Sequence, residues 1–175
     1  MTLRTCLRPL LVAALLLGST GTGTAAALAA TPSPVRPSLS VQGDVELAPG
    51  LDVFRLDSHS RQQANGTTTG TFTGTGELKT GGINLPIPLS VAGPVTCLTV
   101  HGSTAAFLYP VTQAQPPLLA NLVVNKTSVL FTVTKGTNGA PDHIGFLGPF
   151  PSQFFHGCAP TGTPFVFHGT ITITG

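Results

Sequence analysis

From Ala30 onward, no stretch of this chain repeats apolar residues at helical spacing over even three turns. That leaves strands as the material of the fold. Glycine (21 of 175 residues), proline (16) and threonine punctuate the sequence. Between them, strand-like runs recur about every 10 to 15 residues, the spacing of sandwiches and barrels. The expectation is all-β: a single-domain antiparallel β-barrel of about eight strands, or alternatively a two-sheet β-sandwich, carrying one disulfide.

Residues 93–109 show the pattern most clearly. Gly93-Pro94 opens a run containing Val95, Leu98 and Val100, His101-Gly102-Ser103 is a short turn, and Phe107-Leu108-Tyr109 lie in the returning run. This reads as one β-hairpin, with Cys97 inside its first strand. Val95/Cys97 and Leu98/Val100 make that strand apolar on both faces, as in a covered sandwich. Thr67 to Gly76 points the other way. Thr69, Thr71, Thr73 and Thr75 share one face, and Gly70, Phe72, Gly74 and Gly76 share the other. Interior glycines mark bends or close backbone approach, as at barrel corners.

Elsewhere, Leu39–Gln42 and Leu51–His59 read as strands, and Ala48-Pro49-Gly50, Asn65-Gly66 and Lys79–Gly82 as turns. Ile83–Leu89 contains two prolines, which places it at a sheet edge or in an extended connection. Pro110–Asn121 reads as a loop; Leu122–Val124 and Ser128–Thr134 are strand-like, with Val129, Phe131 and Val133 on one face. Lys135–Asp142 is a turn cluster in which Asp142 is a cap, Ile144–Phe146 a short strand, Gly148–Cys158 a Phe-rich loop and Pro164–Thr174 the last strand.

The first 30 residues have a different character. Arg4 and Arg8 precede a short apolar run, Leu10–Leu17, and a small-residue segment ends at Ala27-Leu28-Ala29. This is the pattern of a secretory signal peptide cleaved near Ala29-Ala30. The apolar run is shorter than the roughly 20 residues a membrane span needs, and no second one follows. Residues 1–30 are therefore read as signal peptide, 31–38 as a flexible Pro/Ser-rich leader, and 39–175 as the β domain. Without the signal, six basic and six acidic residues remain. A near-neutral chain with no basic run lacks the footprint of a nucleic-acid binder. The expected form is a secreted, extracellular monomer.

Removal of Cys6 leaves Cys97 and Cys158. In an exported chain these have one intramolecular pairing; two free thiols or a metal pair are the alternatives. His59, His101, His143, His156 and His168 never pair at ligand spacing, so no metal and no cofactor is expected. Serine, histidine and aspartate are all present, but no G-x-S-x-G elbow is, and no catalytic residue is assigned. Phe150, Phe154 and Phe155 form either an exposed patch for a partner or a lid closing one barrel end.

The motifs together resemble a group of small secreted actinobacterial all-β proteins without assigned function. The correspondence lies in Gly70–Gly76, the hairpin residues 93–105, Phe131–Val133, Asn138-Gly139, Pro141-Asp142, Cys158 and Gly169–Ile173. The chain departs from it at Lys135–Thr137 and in the apolar insert Ile83–Leu89. The resemblance implies an extracellular β fold and brings no catalytic residues with it. The functional expectation is a non-enzymatic exported domain that binds an extracellular ligand or cell-surface partner. The alternative is a small β-barrel hydrolase or isomerase with a site invisible in the sequence. A polar, titratable cavity would favour the enzyme, and an apolar interior the binder.

Overall fold

The computed structural model describes residues 35–175; the expected signal peptide and residues 31–34 of the leader lie outside them. Strands β1 (Ser38–Ala48), β2 (Leu51–Gln62), β3 (Thr68–Thr80) and β4 (Ile83–Pro94) form a meander, each antiparallel to the next. Gly50, Gly66, Gly81 and Gly82 take positive φ at its turns, a conformation that costs glycine least. The hairpin follows as β5 (Cys97–His101) and β6 (Thr104–Pro110), paired from Cys97↔Leu108 to His101↔Thr104. Then come β7 (Gln113–Gln115), helix α1 (Pro117–Val123), β8 (Thr127–Thr134), β9 (Asp142–Pro151) and β10 (Phe165–Thr174).

All ten strands belong to one sheet, in the order β5-β6-β8-β9-β10-β1-β2-β3-β4-β7. The sheet is antiparallel and curls into a half-barrel. The expected closed barrel of about eight strands is thus corrected in both count and closure. The reason lies at Gly93-Pro94. Pro94 has no N–H to offer a ladder, so the chain leaves β3 there and resumes as β5 beside β6. At the junction the Val95 N–H donates to the Gly70 carbonyl of β3 and the Thr96 N–H to the Leu108 carbonyl of β6, each at 2.9 Å.

What holds the curl is the packing of its two halves. Phe72 of β3 stacks on Tyr109 of β6 at 4.0 Å between ring centroids and on Phe131 of β8 at 5.1 Å. The β3 alternation is as the sequence implies: Phe72, Gly74 and Gly76 are buried while Thr69, Thr71, Thr73 and Thr75 are exposed. Ile83–Leu89 does lie at an edge, since β7 pairs only with Ser90–Ala92 of β4. Asp142 does cap its turn, accepting a hydrogen bond from the Gly136 N–H at 2.7 Å.

Three expectations need correction. The loop at 110–121 and the strand at 122–124 are in part the two-turn helix α1, which starts at Pro117 and carries Leu119 and Val123 one turn apart. Two turns are too few to stand out as a period, and tertiary packing holds them. The short strand at 144–146 is the ten-residue β9, paired with β8 as far as Pro151. It therefore takes in the first part of the expected Phe loop. Prolines at 149 and 151 hid it, because they remove donors without preventing extended backbone.

Candidate functional site

At one end of the half-barrel the two halves do not meet, and a cavity of about 480 Å³ lies between them. Each element contributes its inward positions. Val45 and Leu47 come from β1, Val53 and Phe54 from β2, and Ile87, Leu89 and Val91 from β4. Tyr109 is the penultimate residue of β6, and Val111 follows that strand. Leu119 and Val123 come from α1, Val129 and Phe131 from β8, and Phe146, Gly148 and Pro149 from β9. No acidic or basic side chain is among them. The opening passes Leu47, Ile87 and Phe146, apolar residues that are nonetheless exposed.

Phe54 of the cavity wall rests on β3. A Cβ on Gly74 would run into the Phe54 ring, so glycine here lets that ring lie flat against the strand. The volume falls within the usual range for small-ligand pockets of about 300–1,000 Å³.

Tyr109 is 2% exposed. Burial pushes its phenol well above the usual tyrosine range. Among the described residues its hydroxyl makes no hydrogen bond, and the oxygen is not fully enclosed by protein. Sequence reasoning placed Tyr109 in the hairpin but missed it as a site residue. Its one signal was being the sole tyrosine in the chain.

The residues singled out in the sequence lie elsewhere. Cys97 and Cys158 form a disulfide, with Cα atoms 5.9 Å apart. It sits on the outer face of β5, β6 and β8, in a small apolar cluster with Ala106 and Leu130, packed by Leu108 and Phe155. This cover explains why the hairpin is apolar on both faces. Phe150 and Phe154 are exposed, Phe155 is half-buried against the disulfide cluster, and none of the three lines the cavity. The histidines are scattered, and among the described residues no group of three metal-ligating side chains forms.

One constellation was not legible in the sequence. Ser40 and His59 are direct partners across β1 and β2, and Asp57 is on the same face two residues from His59. His59 Nδ1 lies 2.9 Å from the Ser40 hydroxyl and Nε2 lies 3.1 Å from Asp57. An imidazole protonated at Nε2 satisfies both contacts: it donates to Asp57 and accepts from Ser40. These are the roles of a hydrolytic triad. The surroundings differ from such a site. β1 and β2 are paired on both sides, so their backbone N–H groups are committed to ladders and leave no pair of donors for an oxyanion. The groove beside Ser40 is open, and the His59 side chain is 63% exposed.

Among the described residues no helix is long and apolar enough to cross a membrane. No protein-family model, curated protein or solved structure matches the chain.

Proposed function

We propose that this chain is an exported, non-enzymatic β domain that binds a small apolar ligand in the mouth of its half-barrel. The observation that carries this reading is the cavity between the two halves, of ligand size and lined without a charged group. Hydrophobic transfer is then the main source of affinity. The N-terminal pattern, the disulfide and the resemblance to small secreted actinobacterial proteins support export.

Protein recovered from culture medium, starting at Ala30 or Thr31, is the material for the test. An uncharged apolar fluorophore such as N-phenyl-1-naphthylamine is titrated into it, with Gly74→Ala as the comparison. The expected result is a saturable one-to-one fluorescence rise that Gly74→Ala weakens, because the added methyl turns Phe54 into the cavity. Absence of saturable binding to the folded protein defeats the reading.

The Ser40–His59–Asp57 array favours a second reading, a hydrolase of activated esters. Its test is p-nitrophenyl acetate hydrolysis. Equal rates for wild type and Ser40→Ala are expected; a rate that falls a hundredfold with Ser40→Ala would make the enzyme the better reading.

A further inference from the structure

The ligand class of the cavity follows from its one polar side chain, and this inference rests on the binding role proposed above. A carboxylate, phosphate or ammonium group drawn among these side chains would lose its water and gain no counter-charge, since no acidic or basic side chain lines the cavity. The ligand must therefore be uncharged where it is enclosed. The cavity is not featureless, however. Tyr109 borders it and is 2% exposed; among the described residues its hydroxyl makes no hydrogen bond, yet the oxygen is not fully enclosed by protein. Its ring cannot readily swing away, being stacked on Phe72 at 4.0 Å and near Phe131 at 6.0 Å. The phenol is thus a fixed hydrogen-bonding group beside an otherwise apolar space.

We infer that the site takes an uncharged, mainly hydrocarbon molecule carrying one oxygen function, a ketone, ester carbonyl or alcohol, which pairs with the Tyr109 hydroxyl. An oxygen there gains a bond that water no longer supplies. A plain hydrocarbon of the same length fills the cavity without that gain. A fatty acid anion adds a charge that the lining cannot compensate.

The experiment is displacement of the bound fluorophore by 2-undecanone, undecane and undecanoate at pH 8, from wild type and from Tyr109→Phe. Removing the hydroxyl leaves the ring stack in place, and unchanged thermal melting confirms that the variant folds. The comparison that matters is the ratio between the two proteins for each competitor. Tyr109→Phe should weaken the ketone about fivefold, the worth of one neutral hydrogen bond. It should leave undecane within twofold, and undecanoate should displace from neither protein at concentrations where the ketone is effective. Equal effects of Tyr109→Phe on ketone and hydrocarbon would overturn the role of Tyr109, and displacement by undecanoate as readily as by the ketone would overturn the uncharged class. Either result leaves the apolar site standing. If the fluorophore itself does not bind, the binding role fails first, and this inference with it.

Discussion

Ser60 sits on the inner face of β2, 6% exposed, with its hydroxyl unpaired among the described residues. Its neighbour on that face, Ser58, instead donates to the Thr71 carbonyl at 3.1 Å. A buried hydroxyl without a partner costs stability that a methyl group does not. Ser60→Ala should therefore raise the unfolding free energy by about 1 kcal/mol, read as a higher urea midpoint at unchanged slope. Charged residues give the pH dependence. The Gly50 backbone N–H, and after it the His168 side chain, hold the Glu46 carboxyl below its ordinary 4.5. Glu77 is held low first by the Asn84 side chain and then by Lys79. The unfolded chain binds protons at both positions more tightly than the folded one. Their stabilisation is therefore complete above pH 4.5 and is lost as the pH falls through the lower folded values. Thermal melting followed from pH 7 to pH 3 should show this decline, and Glu46→Gln should make it shallower.

At the scale of elements, the segment after β9 is the one most dependent on the disulfide. After a 3-10 turn at Ser152–Phe154, the chain reaches β10 with few backbone bonds. It is held by Cys97–Cys158, by Phe155 packed on the disulfide cluster, and by the Thr161 N–H donating to Thr132 Oγ1 at 2.9 Å. β5 and β6, by contrast, are joined by their own ladder from Cys97↔Leu108 to His101↔Thr104. Reduction removes a crosslink spanning 61 residues, worth up to about 4 kcal/mol and less if the reduced chain stays compact. The loss should begin locally. Amide exchange at Phe155 and Thr161 should accelerate on reduction while the β5–β6 and β8–β9 ladders stay protected. Unchanged exchange at Thr161 would mean that the bridge does not hold the loop.

The whole molecule depends on the contact between the halves of the curled sheet. The two sheet ends, β5 and β7, are not bonded to each other, so side-chain packing supplies what a continuous ladder would supply in a closed barrel. Phe72 is its centre, fully buried and in contact with Phe107, Tyr109 and Phe131. Phe72→Ala should cost about 3–5 kcal/mol. Because this residue joins the two halves, the loss should appear in one cooperative transition. Urea unfolding followed by Tyr109 fluorescence and by far-UV circular dichroism should shift together, and separate transitions would show that the halves are stable without each other.

Local chemistry determined much of this protein from the sequence alone. Alternation placed Phe72 inward and the threonines of β3 outward. Glycine and asparagine set the turns, and two prolines kept Ile83–Leu89 at an edge. Each of these depends on a residue and its immediate neighbours. The tertiary structure decided the rest, because the quantities involved are distances between strands far apart in the chain. Sheet closure turned on where Pro94 diverts the chain from β3 to β6, a fact about two ladders at once. Helix α1 is too short to announce itself, and it exists where Leu119 and Val123 meet an apolar wall. The cavity is made of ordinary valines, leucines and phenylalanines, and nothing in their order separates those that line it from those that fill the core. Ser40, His59 and Asp57 came together through strand register alone. Tyr109 became the polar side chain of an apolar site only because strands far apart in the chain set apolar residues around it.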